Sequence, residues 1–150
     1  MADAYLVALT LLSRRELSEA QVRTRLARKQ FEDDDIEAAV ERLRQDGTLN
    51  DRRVALAAAR LESTVRHRGR ARVIQKLRTL GIDGDLAASA VNEVFAEVDE
   101  GALLDRALTR RLRGQTPKEL DQKARARVVR GLAGQGFAID AILKRLRGLQ

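Results

Sequence analysis

Apolar positions fall three and four residues apart within short stretches, and each stretch opens on a capping residue and closes on a glycine or a polar turn. This punctuation predicts about nine helical segments. Ser18 with Gln21 forms a capping box ahead of Val22 and Leu26, and Asp34 with Glu37 opens the next helix, which stops at Gly47. Asn50 or Asp51 caps a long helix running to about His67, where Gly69 breaks it. The following helix ends at Gly81, and Asp83 caps another toward Phe95. Thr116, Pro117 and Glu119 mark a restart, with Thr as cap, Pro at the first helical position and Glu three residues on. Gly134 and Gly136 end that helix.

The segments repeat. Val22, Leu26, Phe31, Val40 and Leu43 match Val73, Leu77, Ile82, Val91 and Val94, and match again Val128, Leu132, Phe137, Leu146 and Leu149. Turn glycines Gly81 and Gly136 coincide with Gln30, and Ile36 and Ile142 face Ala87, with Leu86 beside it. A further helix precedes each copy, over residues 3 to 14, 51 to 67 and 99 to 113. The expected architecture is therefore all-α: an elongated array of three tandem three-helix modules with helix-turn-helix-like repeats, spanning 1–47, 48–98 and 99–150. A unit of about fifty residues buries little surface alone, so neighbours should pack into a row, roughly 60 Å long at about 10 Å between helix axes.

Composition agrees with helix, since one Pro and 3% aromatics stand beside abundant Ala, Leu, Arg and Glu. Charge adds a second feature. The net charge is +7, and it is concentrated: residues 101 to 150 hold 12 basic and 4 acidic side chains, against 8 and 10 in residues 1 to 50. Within the middle third, Arg60 to Arg78 holds seven basic residues and only Glu62 opposing them. Such patches attract polyanions by releasing condensed counterions, and nucleic acid is the leading candidate. A solvated Arg-rich surface is the plain alternative, since 24 of the 29 basic residues are Arg.

Catalytic chemistry has no foothold in the residues. Cys is absent, which removes disulfides, thiolate nucleophiles and Cys-type zinc sites and fits a reducing compartment. The single His67, between Arg66 and Arg68, reads as a surface residue of the basic patch. Gly131, Gly134 and Gly136 follow no strand and precede no Lys-Ser or Lys-Thr pair, so no nucleotide loop is indicated. The acidic run Glu32 to Asp35 lies at a helix start, where it complements the dipole. Tyr5, Phe31, Phe95 and Phe137 are too scattered to form a base-stacking platform. Met1 to Leu12 carries Asp3 and lacks a basic leader, and no later apolar run suits a bilayer, so a soluble cytoplasmic protein without cofactors is expected.

Four blocks resemble the RecX family over nearly the full chain. Leu12 to Leu26 (LSRRELSEAQVRTRL) is similar to the family opening L-x-x-R-x-x-S-x-x-E-L-x-x-K-L, and Gly47 to Ala55 (GTLNDRRVA) to G-Y-L-D-D-x-x-F-A. Gly69 to Ile82 (GRARVIQKLRTLGI) resembles G-x-x-R-I-x-x-E-L-x-x-K-G-I, and Arg130 to Phe137 (RGLAGQGF) resembles R-F-L-x-R-R-G-F. Thr48 and Val54 replace expected aromatics, Lys76 replaces an acid, Gly131 stands where Phe is usual, and Gly134 and Gln135 replace polar or basic residues. The last third is thus expected to pack more loosely.

The resemblance implies a non-enzymatic regulator in DNA repair, homologous recombination and the SOS response, with RecA protein and the RecA–DNA filament as partners. It implies docking in the filament groove and mainly inhibition of recombinase, ATPase and coprotease activities, by a monomer that binds free DNA weakly and without sequence preference. The candidate contact residues form two patches: Arg66, Arg68, Arg70, Arg72, Lys76 and Arg78, and Arg110, Arg111, Arg113, Lys123, Arg125 and Arg127. Arg72 and Lys76, four apart, should project outward together while Val73 and Leu77 turn inward. Two other readings remain open on the residues alone. A sequence-specific helix-turn-helix protein would discriminate one site from random DNA by orders of magnitude, and a helical scaffold for an acidic protein would ignore DNA altogether.

Overall fold

A computed structural model describes residues 3–148. Among them lie nine α-helices and no strand: α1 (Ala4–Arg14), α2 (Glu19–Arg28), α3 (Asp33–Gln45), α4 (Asp51–Arg60), α5 (Arg70–Thr79), α6 (Gly84–Glu97), α7 (Glu100–Leu112), α8 (Gln122–Gly134) and α9 (Ile139–Gly148). A π turn, Leu61–Val65, prolongs α4, and a 3-10 turn, Pro117–Glu119, precedes α8. The all-α class is as expected, and no helix among the described residues is long and apolar enough to cross a membrane.

Most caps act where the residues place them. The Ser18 hydroxyl accepts the Gln21 N–H at 3.1 Å while the Gln21 side chain accepts the Ser18 N–H at 2.9 Å. Asn50 caps α4 and Asp83 caps α6. Two starts differ from expectation. Helix α3 begins at Asp33 behind Glu32 with no side-chain cap, so Asp33, Asp34 and Asp35 stabilise its first turn through the helix dipole. The Thr116–Glu119 pair closes only the 3-10 turn: Leu120 then returns to extended backbone, and Asp121 caps α8 by accepting the Ala124 N–H at 2.7 Å.

The repeated apolar positions form the interior. Val22, Val73 and Val128 are buried, as are Leu26, Leu77 and Leu132, and Val40, Val91 and Leu146. Leu149 lies outside the described residues. Ile36, Ala87 and Ile142 are all buried, and half-buried Leu86 packs beside the small Ala87. Helices α1 to α3 enclose one apolar core, whereas α4 to α9 share a second, continuous one. The last third is as well filled as the rest, with Leu132, Ile142 and Leu146 fully buried.

Successive helix trios meet through one joint used twice. The turn ending α5 abuts the start of α2: the Ser18 hydroxyl donates to the Leu80 carbonyl, and any side chain on Gly81 would run into the Ala20 methyl. Beside it the Asp51 carboxylate accepts the Glu19 N–H at 2.8 Å, and burial pushes that carboxyl above its ordinary range. The turn ending α8 meets the start of α5 in the same way. There the Gly69 N–H donates to the Gln135 carbonyl at 2.8 Å and the Ala71 N–H to the Gly136 carbonyl at 3.3 Å. Helix α5 has no side-chain cap of its own, so the Gly136 carbonyl serves one of its free N–H groups. A Cβ on Gly69 would lie 2.5 Å from the Gly136 carbonyl carbon, and Gly136 adopts φ +102°. Gln30, the equivalent turn residue of α2, is left-handed at φ 69° and carries an exposed side chain.

Gly69→Ala should therefore lower unfolding free energy by about 1–3 kcal/mol, since main chain cannot swing aside as a side chain does. Gly84→Ala, with open space around its Cβ position at the start of α6, should raise it by up to about 1 kcal/mol. Urea unfolding of the two variants in parallel checks this; equal effects would contradict the joint.

Candidate functional site

The link between α4 and α5 is shaped by a buried carboxylate. Glu62 is 4% exposed within the π turn, and its Oε1 accepts from Arg66 Nη1 at 3.0 Å. Its backbone carbonyl accepts the Arg68 N–H at 2.9 Å, after the chain has turned through His67 at φ 54°. Removing an anion from water is costly unless a cation and hydrogen bonds offset the loss, so Glu62 ties Arg66 and the turn to one position. His67 is consequently half-buried, with Nδ1 inaccessible, rather than the open surface residue its neighbours suggest.

The turn forms one wall of a cleft of about 830 Å³, contributing Arg66, His67 and Arg68. The opposite wall is α7, contributing Asp105, Arg106, Arg110 and Arg111, with Gln135 at the turn after α8. Five guanidinium groups thus face one carboxylate, and Asp105 is already paired with Arg145 at 3.4 Å. Arg111 donates from Nε to the Gln135 side chain at 2.9 Å, and its guanidinium lies where a side chain on Gly131 would go. The missing Phe at this position is what seats Arg111 against α8.

A second groove of about 520 Å³ adjoins the first through Arg110 and Arg111 and continues past Arg113 and Arg127. Arg113 ends α7 in left-handed backbone at φ 51°. The two sequence patches therefore meet in one cationic track, made from Arg66 and Arg68 of the first and Arg110, Arg111, Arg113 and Arg127 of the second. Electrostatic attraction for polyanions is strongest where several such groups border one concave surface. Lys123 is exposed at the start of α8, and Arg125 is half-buried.

The remaining members of the first patch point elsewhere. Arg70 donates to the Asn92 side chain at 2.6 Å and its guanidinium stands 5.1 Å above the Phe95 ring, which holds it on α6. Arg72 is exposed and bonded to Gln75 at 2.6 Å, and Arg78 is exposed. Lys76 does not project with Arg72: it is half-buried in a separate cleft of about 330 Å³ beside Arg15, Glu16, Glu62 and Arg66. Conversely, Arg106 and Gln135 were not singled out by the residue pattern. Arg106 lies four positions before Arg110 on α7, and reading that helix by face instead of by runs of charge would have found it.

The family model for the first three-helix domain of RecX matches residues 4–43. Over 137 residues the chain is 39% identical to the regulatory protein RecX of Syntrophotalea carbinolica, covering 91% of this chain and 89% of that one. It is 34% identical to the regulatory protein RecX of Trichlorobacter lovleyi over 144 residues, covering 94% and 92%. The crystal structure of RecX from Lactobacillus salivarius superposes with a TM-score of 0.78 at 21% identity, over 96% of this chain and 94% of that one, which is a likeness of fold.

Gly131→Ala separates the seat of Arg111 from the packing of α8. The nearest atoms in the way belong to a flexible guanidinium, so the variant should gain up to about 1 kcal/mol from helix propensity while expelling Arg111. Thermal melting checks the sign, and a loss above about 1 kcal/mol would mean the Arg111 seat supports the fold itself.

Proposed function

The chain belongs to the RecX family, and from that premise we propose that it regulates the RecA recombinase by binding RecA and the RecA–DNA filament, mainly inhibiting recombinase, ATPase and coprotease activities. Similarity to regulatory proteins along more than nine-tenths of the chain supports the regulatory role. The observation that carries the nucleic-acid part is the track of arginines across α7 and α8, where the one carboxylate is neutralised internally. Filament DNA presents a regular row of phosphates, and Arg forks bind phosphate without reading bases. No Phe, Tyr or Trp lines either groove, so contact with a strand would run through its backbone, giving weak, salt-sensitive affinity for free DNA. The reading takes residues 1–47, 48–98 and 99–150 as three successive units acting without catalysis, as a single copy in the cytoplasm.

Titrated below one copy per RecA, the protein should depress single-stranded-DNA-dependent ATP hydrolysis by RecA. Arg110→Glu with Arg127→Glu, both exposed in the second groove, should weaken that inhibition by about tenfold or more, as loss of charge-assisted phosphate contacts predicts. Undiminished hydrolysis by a cognate RecA at moderate salt would end the regulatory reading and bring selective DNA binding forward.

A further inference from the structure

The walls of the large cleft belong to different helix trios. Arg66 and Arg68 precede α5, whereas Arg106, Arg110 and Arg111 ride on α7. The cleft adjoins the second joint: the Gln135 carbonyl accepts the Gly69 N–H while its side chain holds Arg111. Two main-chain hydrogen bonds at Gly69 and Gly136 thus sit beside Arg68, Arg106, Arg110 and Arg111, like charges that repel across the opening, while Glu62 offsets the charge of Arg66. Neither Arg106 nor Arg110 has a hydrogen bond or ion pair among the described residues, and both are exposed.

A separate observation points to an occupant. His67 Nδ1 and Arg68 Nε, both in the cleft wall, are buried without a hydrogen-bond partner. Buried polar atoms are nearly always satisfied, so these two mark a wall that has to shift before the Arg68 Nε donor meets an acceptor oxygen. Asp105 is paired with Arg145 and Glu62 with Arg66, which leaves four guanidinium groups of the cleft without a carboxylate among the described residues, whereas adjacent phosphates supply several negative charges and many acceptor oxygens in a volume of this size.

We infer that the cleft is a phosphate lock: neighbouring phosphate groups seat between Arg66 and Arg68 on one wall and Arg106, Arg110 and Arg111 on the other, and clamp α7–α9 to α4–α6 in one orientation. Binding energy spent across the cleft replaces repulsion with attraction, so occupancy narrows the range of inter-trio angles. The chemistry is shared by a polyphosphate chain and by successive phosphodiesters of a nucleic-acid strand. The inference extends the regulatory reading, because filament DNA would supply the phosphates, yet its test needs no RecA and the two can fail separately.

The chain has no cysteine, so Ser89→Cys in α6 and Ala126→Cys in α8, both at exposed positions, accept spin labels cleanly. Inorganic tripolyphosphate and a short oligothymidylate are added in separate arms, and the inter-label distance distribution is recorded by pulsed electron resonance. The distribution should narrow, in both arms if any clustered phosphate suffices and only with the oligonucleotide if the spacing of phosphodiesters is required. Arg106→Gln with Arg110→Gln should weaken binding of the effective probe by about tenfold or more and abolish the narrowing. Circular dichroism should show its helix content unchanged, and Arg28→Gln on α2 should leave the narrowing intact. An unchanged distribution at saturating probe in both arms, or narrowing that survives the double substitution, would overturn the lock.

Discussion

The close approach of main chain to main chain at Gly69 and Gly136 governs how the second half of the molecule is arranged. A helix whose first N–H groups lack a side-chain cap must find acceptors elsewhere, and α5 finds them in the turn that ends α8. Such a contact requires that neither partner carry a Cβ, and both are glycine. The equivalent contact one repeat earlier uses the Ser18 hydroxyl instead of a backbone N–H to reach Leu80, because the Ser18 N–H is already committed to Gln21. One geometric solution thus joins successive trios with different local chemistry. Helices α4 to α9 consequently enclose a continuous apolar core, and the cleft follows as the gap left beside the joint.

Charge is organised by the same joint. Glu62 is buried where α4 unwinds, and its demand for partners fixes Arg66 and the left-handed turn at His67. The resulting wall stands opposite α7 because Gln135 links that helix to the joint through Arg111. Several of the molecule's other arginines are held in ion pairs: Arg44 with Glu19, Arg23 with Glu37, Arg53 with Glu16. The Arg44 guanidinium holds the Glu19 carboxyl below its ordinary range. What distinguishes the cleft is the gathering of guanidinium groups around one concave surface, more than the number of arginines in the chain.

Much of the helical plan is legible in single residues, because a cap or a left-handed turn is satisfied within a few positions of chain. Ser18 with Gln21, Asn50, Asp83 and the turn glycines act where local chemistry puts them. Thr116 and Glu119 mislead for the same reason. Their reciprocal bonding is real but local, and whether a helix follows depends on Leu120, which leaves its turn to pack against the shared core. The patch residues are less legible still. Arg70 and Lys76 look equivalent to their neighbours in a run of charge, yet Asn92 and Phe95 draw one onto α6 and the cleft beside α4 takes the other.

The residues by themselves determined an all-helical chain with a repeated core pattern, a cationic bias in its last third and a resemblance to one family. Those properties follow from backbone propensity, apolar spacing and formal charge, which each residue carries wherever it lies. Only the tertiary structure decided that Gly69 and Gly136 face one another, that Gly131 makes room for Arg111, and that two distant patches share one cleft with Arg106. These depend on contacts between residues far apart in the chain, where a neighbour's bulk, a carbonyl's direction or a buried carboxylate's need for a partner selects among side-chain directions that local chemistry leaves equal.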